Sequence, residues 1–311
     1  MSTIASSSPG DRSAETRGLL YGFLGVAIFS LSLPATRLAV VGLDPLLVGL
    51  GRSLAVAPLA AILLWCSSSP WPHWRRLVPL ALVVAGVIVG FPVFSAMAMT
   101  RLPASHGAVL LGIMPLATAM AGSLRAGDRP SLGFWLAGLT GSALVIGYAV
   151  TVGAGRLQPA DGLLLLAVIA AALGYAEGGR LAQTLGGWQV ICWALVLAAP
   201  LLAGPVAWLF WRHGASAPPS AWAGFVYVAL FSQFIGFFFW YRGLALGGVA
   251  RVSQIQFAQL FLTLAASTLF LGEHLDLTTI AFGGAVAVVL VIGRRMPVRR
   301  RLYSDLANAG L

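Results

Sequence analysis

The chain consists mainly of long apolar runs separated by short polar or charged breaks. A helix needs about 20 mostly apolar residues to cross roughly 30 Å of hydrocarbon. Runs of about that length cover residues 18–40, 44–66, 77–99, 104–125, 132–152, 160–183, 188–210, 220–242, 247–271 and 277–294. Backbone groups in lipid must be satisfied internally, and no run shows the weak alternation of a membrane β-strand. The pattern therefore predicts an all-α polytopic membrane protein with ten transmembrane helices.

The composition supports a membrane protein rather than a soluble one. Of the 311 residues, 59% are hydrophobic and only 9% are charged, and the mean hydropathy is +0.91. Soluble domains carry roughly 25% charged residues. Residues 1–17 are polar and contain no apolar run before a cleavage site, so we expect the first run to remain as a membrane helix. Cys66 and Cys192 lie in or beside apolar runs, so we expect no disulfide framework.

The distribution of arginine predicts the orientation in the membrane. All 19 basic residues are arginine, and the net charge is +10. A cytoplasmic N-terminus would place on the inner side Arg12, Arg17, Arg75, Arg76, Arg125, Arg129, Arg180, Arg242, Arg251, Arg294, Arg295, Arg299, Arg300 and Arg301. The outer side would hold only Arg101, Arg156 and Arg212. By the positive-inside rule, we expect both termini to face the cytoplasm of a bacterial inner membrane. The arginines follow topology, so we expect no nucleic-acid partner.

The two halves of the chain resemble each other at an offset of about 143–146 residues. The matches include Arg37-Leu38-Ala39 with Arg180-Leu181-Ala182, Gly90-Phe91 with Gly236-Phe237, Thr118 with Thr263, and Gly127-Asp128 with Gly272-Glu273. Five helices are an odd number, so the second half enters the membrane from the opposite side. Such inverted repeats are typical of secondary transporters with a site near the midplane. We expect an N-terminal tail at 1–17, repeats at 18–153 and 160–295, and a basic C-terminal tail at 296–311.

Three stretches resemble the EamA-type transporters of the drug/metabolite transporter superfamily. They are FSLSLPATR at 29–37, ASHGAVLLGIMPLATAMAGSLRAGD at 104–128 and ARVSQIQFAQLFLTLAASTLFLGE at 250–273. The chain departs from the family pattern at Gln259-Leu260, which replaces Glu-Pro, and at Ser30, which replaces Gly. The resemblance implies that spans 1–4 and 6–9 surround a central cavity and that spans 5 and 10 lie outside it. Within the superfamily the chain is most similar to bacterial exporters of amino acids, including aromatic ones.

A polar stripe on the ninth span is the first group of candidate site residues. Three to four positions separate successive members, which places them on one helical face; they are Ser253, Gln256, Gln259, Thr263 and Ser267. Such a stripe must face protein or water. Gln256 and Gln259 are candidates for substrate contact, and hydrogen bonding between helices is the alternative. The corresponding positions of the fourth span, Met114 among them, are mainly apolar.

Aromatic residues form the second group of candidates. Residues 237–241 are all aromatic, and successive side chains point about 100° apart, so some must face lipid. Phe237 and Trp240 share a face and are candidates for stacking on an apolar solute, whereas Trp240 and Tyr241 as interfacial anchors are the alternative. Further candidates for the cavity wall are Phe91, Phe94 and Ser95 in span 3, Ser32 in span 1 and Tyr175 in span 6.

Arg52 and Glu177 are charged residues well inside predicted spans, whereas Arg37 lies near the outer end of its span. Arg52 is eight residues into its span, about 12 Å deep at 1.5 Å per residue. It would either bind a substrate carboxylate or dock on backbone carbonyls. Glu177 is predicted to pair with Arg180 one turn away, and proton coupling is the alternative role. His106, at the start of the fourth span, is interpreted as an interfacial residue.

Prolines and glycines inside the spans are candidates for hinges. They are Pro34, Pro92, Pro115, Gly178 and Gly236. Proline interrupts the hydrogen-bond ladder and kinks a helix. Such points would allow half-helices to bend during transport, and static kinks are the alternative.

Together these features predict a secondary transporter that exports amino acids, including aromatic or other apolar ones, or similar small metabolites by alternating access. A lipid scramblase, another non-transporting membrane protein and an intramembrane enzyme remain as alternatives. The enzyme is the weakest of these, because the sequence has no H-E-x-x-H, no G-x-S-x-G and no nucleotide-binding loop. We expect no catalytic residues, metal or cofactor. The expected partners are the small-molecule substrate and membrane lipids, and a monomer would be sufficient.

Overall fold

The computed structural model of the chain describes residues 9–126, 129–152, 158–294 and 298–299, and almost all of these residues are helical. Nine stretches in this part are long and apolar enough to cross a membrane: Thr16–Val40, Pro45–Cys66, Trp74–Met99, Ala104–Arg125, Trp135–Val152, Pro159–Leu185, Gly187–His213, Pro219–Gly247 and Val249–Leu271. A tenth helix follows at Leu277–Arg294. We refer to these ten as spans 1 to 10, and they confirm the predicted all-α polytopic fold.

Several spans are composed of more than one helical segment. The α-helices are Pro9–Ser30, Ser32–Val40, Pro45–Cys66, Leu77–Val83, Phe91–Met99, Ala104–Leu111, Met114–Ala126, Leu132–Val152, Pro159–Leu185, Gly187–His213, Pro219–Val226, Gly236–Gly247, Val249–Val252, Gln256–Leu271 and Leu277–Arg294. Short 3₁₀ segments occur at Trp74–Arg76 and Ser253–Ile255, and π-helical segments at Val84–Gly90 and Tyr227–Ile235. Two-residue strands, Arg129–Pro130 and Val298–Arg299, pair antiparallel.

The irregular segments follow the internal repeat and the prolines. The π-helical segments of spans 3 and 8 lie at equivalent positions, since 84–90 and 227–235 differ by the repeat offset. Pro92 directly follows the first of them. Span 1 is interrupted at Leu31, before Pro34, and span 4 at Gly112–Ile113, before Pro115. Wide turns of this kind leave some backbone carbonyls without their usual helical partner, so that side chains of other helices can bond to them.

Short connections make successive spans antiparallel. Asp44 caps span 2 by accepting hydrogen bonds from the N–H groups of Leu46 and Leu47. Gly186 and Gly248, with φ of +96° and +84°, allow the sharp turns after spans 6 and 8. The starts of spans 2, 4, 6, 8 and 10 therefore share one end of the bundle. We call it the Ala104 end, and the opposite end the Arg125 end.

The two halves pack closely against each other. Span 1 contacts span 8, span 2 contacts span 7, and spans 3 and 4 contact span 6. Spans 5 and 10 pack together beside span 4, on the outside of this arrangement. Side chains from both halves fill the centre as one large apolar core. A crevice with room for about one water molecule lies between spans 1, 4 and 9.

Some predictions differ from the structure or lie outside its described part. Span 8 continues to Gly247, so Arg242 lies within a helix rather than in a connection. His106 is not an exposed interfacial side chain, because only 3% of its surface is accessible. Interfacial aromatic belts are expected to contain six tryptophans near the span ends. Five of them are exposed, namely Trp65, Trp71, Trp74, Trp208 and Trp211, whereas Trp222 is half-buried and donates through Nε1 to the carbonyl of Ala215 at 3.2 Å. Arg156, Arg295, residues 127–128 and the tails at 1–8 and 300–311 lie outside the described residues.

Candidate functional site

An aromatic cluster occupies the centre of the bundle. Tyr175 of span 6 lies 5.4 Å from the ring of Trp240 and 5.9 Å from that of Phe237, between ring centroids. Phe29 of span 1 completes the cluster, 5.0 Å from Phe237 and stacked nearly parallel to Tyr175 at 6.4 Å. Trp240 and Tyr241 are fully buried. The interfacial-anchor interpretation of these two residues is therefore wrong, because neighbouring helices cover them.

Arg52 is a buried cation beside this cluster. It is 2% exposed, and its guanidinium carbon lies 5.8 Å from the centre of the Phe91 ring. The Tyr175 side chain lies in its vicinity. Its Nε has no hydrogen-bond partner, and no ion pair among the described residues includes Arg52. A buried guanidinium without a counter-charge is costly in a protein interior, so an anion beside Arg52 would stabilise the arrangement.

Gln233 is a polar residue of span 8 that the sequence analysis did not single out. It is fully buried, its Nε2 donates to the carbonyl of Val87 at 3.3 Å, and its Oε1 has no partner. Ser53, next to Arg52, donates to the adjacent carbonyl of Ile88 at 3.0 Å. Both carbonyls belong to the π-helical segment of span 3. Spans 2 and 8 are thus fixed on the same turn of span 3. In the sequence, Gln233 could have been recognised as the single amide side chain within a run rich in aromatic residues.

The other predicted wall residues have mixed surroundings. The hydroxyls of Ser32 and Ser232 lie 2.7 Å apart and link spans 1 and 8. Ser95 donates to the carbonyl of Phe91 in its own helix at 2.6 Å. Met114 is buried in the central core. Phe94 is partly buried, and none of the ring contacts found among the described residues includes it.

Most of the stripe on span 9 is bonded to protein. Gln256 Oε1 accepts from the Thr118 hydroxyl at 3.4 Å, and Thr263 donates to the carbonyl of Ser30 at 2.8 Å. Ser253 and Ser267 donate to carbonyls of the preceding turn. Gln259 differs, because it lines the crevice. The crevice is formed by Leu33, Ala108, Leu111, Gln259, Leu260 and Thr263.

Glu177 lies close to two arginines. The carboxylate of Glu177, which is 3% exposed, lies 2.5 Å from Arg180 Nη2 and 3.8 Å from Arg125 Nε. The predicted pairing with Arg180 is present.

Two of the hinge candidates are glycines that lie against aromatic rings. A Cβ on Gly178 would lie 2.3 Å from the Tyr241 ring, and one on Gly236 would lie 2.7 Å from the Phe29 ring. Both glycines therefore allow an aromatic ring to approach the helix backbone.

Comparison with known proteins identifies similar chains. The sequence profile of the EamA-like transporter family matches residues 16–151 and 158–293. The uncharacterised transporter YdeK of Bacillus subtilis (strain 168) is 43% identical over 281 residues, which are 90% of this chain and 98% of that protein. A probable terminal-alkyne amino-acid exporter of Streptantibioticus cattleyicolor is 28% identical, over 89% of this chain and 94% of its own length. One solved crystal structure has a TM-score of 0.65 at 16% identity, covering 89% of this chain and 98% of its own, and so shares the fold.

Proposed function

Because this chain belongs to the EamA-like transporter family, we propose that it is a secondary transporter exporting amino acids with apolar or aromatic side chains, or similar small metabolites. Transport would follow alternating access between the two five-helix repeats at 18–153 and 160–295. The arginine distribution supports a bacterial inner-membrane location with both termini in the cytoplasm. In that orientation the Ala104 end faces the periplasm. A relative at 28% identity is named a probable amino-acid exporter.

The proposed substrate class rests mainly on one observation, which is that the buried charge of Arg52 has no partner. A cation buried in a membrane-spanning bundle is normally paired with an acid or with carbonyls. The described residues supply Arg52 with neither an acid nor a hydrogen-bonded carbonyl. A substrate carboxylate would complete the site through charge-assisted hydrogen bonds, which are among the strongest that proteins form. An anionic group on the substrate is therefore part of the proposal.

A second unpaired group fits the other charge of an amino acid. Gln233 Oε1 is a buried acceptor without a donor. It is on the span that contacts span 2 near Arg52, through the same π-helical turn. Buried polar atoms without partners are rare in folded proteins and call for an explanation. A zwitterionic head group supplies both an acceptor for Arg52 and a donor for Gln233, so the pair favours amino acids over simple anions.

The aromatic cluster would contact the substrate side chain. Phe29, Phe237 and Trp240 surround Tyr175 and present ring faces and edges rather than charges. Apolar and aromatic side chains pack on such surfaces with about 0.5–1.5 kcal/mol per ring pair beyond area burial. Trp240 Nε1 is also without a partner and is available to a substrate oxygen. These rings favour large apolar amino acids over small polar ones.

Counterflow in proteoliposomes with a panel of labelled amino acids tests the proposal. Arg52→Gln keeps hydrogen-bond donors and removes the charge. A lost charge-assisted bond is worth about 1.5–3 kcal/mol, so we expect counterflow of apolar amino acids to fall roughly 10- to 100-fold. The corresponding uncharged amides or alcohols, where carried, should lose much less. Arg101→Gln, on an exposed connection at the Ala104 end, is the matched control and should retain counterflow. Equal losses for charged and uncharged compounds, or loss of folded protein alone, would show that Arg52 is structural.

A further inference from the structure

Two carboxylates from the second half of the chain hold the first turn of span 4. Glu273, in the connection between spans 9 and 10, accepts hydrogen bonds from the backbone N–H groups of Ala104 and Ser105, each at 2.8 Å. Asp161, in the first turn of span 6, has Oδ1 at 2.7 Å from Nε2 of His106. Three consecutive residues of one helix are therefore attached to the opposite repeat. These three residues are not among those proposed to contact the substrate.

The His106–Asp161 pair is almost completely buried. His106 is 3% exposed and Asp161 is 1% exposed. The second carboxylate oxygen of Asp161 accepts from the backbone N–H of Gln158 at 2.8 Å. Both oxygens of the carboxylate are thus bonded, and the helix N-terminus favours negative charge at this position. A neutral His106 ring offers this carboxylate one hydrogen bond, whereas a protonated ring adds a compensating charge.

Other ionisable groups near the pair are mostly acidic. The Tyr148 ring of span 5 lies 5.0 Å from the His106 ring, and its hydroxyl bonds to Thr279 at 3.1 Å. Hydrogen bonds from Thr279 hold the pKa of Asp276 below its usual range, so Asp276 stays ionised near neutral pH. Span 9 contributes no charged side chain between 256 and 271. The ionisable and charged groups that face this turn from the described elements packed on it are Asp161, Tyr148, Glu273, Asp276 and Arg37.

The segment held by these contacts also forms one wall of the crevice. The helix Ala104–Leu111 is separated from Met114–Ala126 by the break at Gly112–Ile113. Ala108 and Leu111 of this short helix line the crevice opposite Gln259. Tilting of the short helix about the break would open the crevice toward the Ala104 end. The contacts of its first turn oppose that motion.

We propose that the His106–Asp161 pair is a proton-binding site that, together with Glu273, latches the Ala104 end of the bundle closed. With the ring protonated, the pair is an ion pair and the latch holds. When the proton leaves to water at the Ala104 end, one hydrogen bond remains and the short helix is released more easily. Raising the pH favours release of that proton, so the latch weakens as pH rises. The inference rests on the proposed transport function but not on any particular substrate.

Thiol accessibility in lipid nanodiscs tests the latch without a substrate. Ala108→Cys is placed in a background with Cys66→Ser and Cys192→Ala, and its labelling by a charged methanethiosulfonate is timed at pH 5.5 and pH 8. Ser216→Cys, on the exposed connection between spans 7 and 8 at the same end, corrects for the effect of pH on thiol reactivity. We expect the corrected labelling rate of Ala108→Cys to increase several-fold from pH 5.5 to pH 8.

Variants of the latch separate its two parts. His106→Gln and Asp161→Asn should each label rapidly at both pH values. Glu273→Gln should increase labelling at both while keeping the pH response. His274→Gln, on an exposed neighbouring position, is the matched control and should behave as the parent. Unchanged Ser216→Cys labelling and a monodisperse elution profile establish that each variant is folded.

Two results would overturn the proposal. One is corrected labelling of Ala108→Cys that does not change with pH, including no labelling at any pH. The other is a pH response that survives in both His106→Gln and Asp161→Asn. Failure of the proposed amino-acid function is distinguishable, because it would abolish counterflow in the panel while leaving the pH-dependent labelling intact.

Discussion

Replacing Gly178 by alanine distinguishes a hinge from a packing position. Span 6 is one continuous helix, Pro159–Leu185, so the backbone at Gly178 is regular. A Cβ there would lie 2.3 Å from Cε1 and Cζ of Tyr241 and 2.5 Å from its hydroxyl oxygen. The ring has little room to retreat, because Tyr241 is fully buried and its hydroxyl donates to the carbonyl of Gly174 at 3.2 Å. We therefore expect Gly178→Ala to destabilise the fold.

The magnitude follows from three contributions. Forcing an extra methyl group into a packed core costs about 1–3 kcal/mol. Displacing the Tyr241 hydroxyl from its buried bond costs about 1–3 kcal/mol more. Alanine recovers about 1 kcal/mol of helix propensity relative to glycine. The net destabilisation is thus about 1–5 kcal/mol. Gly162 of the same span has no atom within 4 Å of its added Cβ, so Gly162→Ala should be neutral or stabilising by up to about 1 kcal/mol.

Thermal denaturation of the purified protein, followed by its monodisperse fraction, measures the difference. A domain of 150–250 residues shifts its Tm by about 2–4 °C per kcal/mol, so Gly178→Ala should lower the apparent midpoint by roughly 2–20 °C. Gly162→Ala should not lower it. In a Tyr241→Leu background the penalty of Gly178→Ala should become smaller, since the clashing ring is gone. An unchanged midpoint together with a reduced transport rate would refute the packing argument and restore the hinge.

Two further predictions concern topology and span 9. Because the arginines concentrate at the Arg125 end, an impermeant thiol reagent applied to intact cells should label Ser216→Cys and should label Ser67→Cys only after permeabilisation; the reverse pattern would exclude the proposed orientation. Gln259→Leu should reduce transport with little change in Tm, because Gln259 lines the crevice. Gln256→Leu should lower Tm, because it removes the bond to Thr118. Parallel losses of stability and transport in both variants would count against a solute path along span 9.

The positions of the spans were predictable because hydrocarbon thickness limits helix length. The apolar runs predict span 5 at 132–152 and span 10 at 277–294, and the helices are Leu132–Val152 and Leu277–Arg294. The hydrophobic pattern predicts that span 8 ends at Arg242, because a charged residue commonly marks the boundary of a span. Arg242 instead lies in the helix that runs on to Gly247, with its side chain exposed. A single exposed cation at a bundle rim does not end a helix.

Burial near the helix ends was not predictable in the same way. His106 and Asp161 lie in the first turns of their spans, where sequence position suggests an interface. The structure buries both, because spans 5, 9 and 10 cover the start of span 4. Trp240 and Tyr241 show the same effect. Distance from the end of an apolar run measures depth along the membrane normal, whereas burial depends on which helices lie beside that point.

The pairing of buried charges is the final reason to place the substrate near Arg52. Among the described residues, four acidic or basic side chains are buried: Arg52, His106, Asp161 and Glu177. Asp161 faces His106, and Glu177 faces two arginines. A structural role explains these contacts without any ligand. Arg52 differs because its guanidinium is as deeply buried and has no such partner. The described residues supply no compensating charge for Arg52, and we expect the carboxylate of a carried solute to supply it, with the aromatic cluster contacting the rest of that solute.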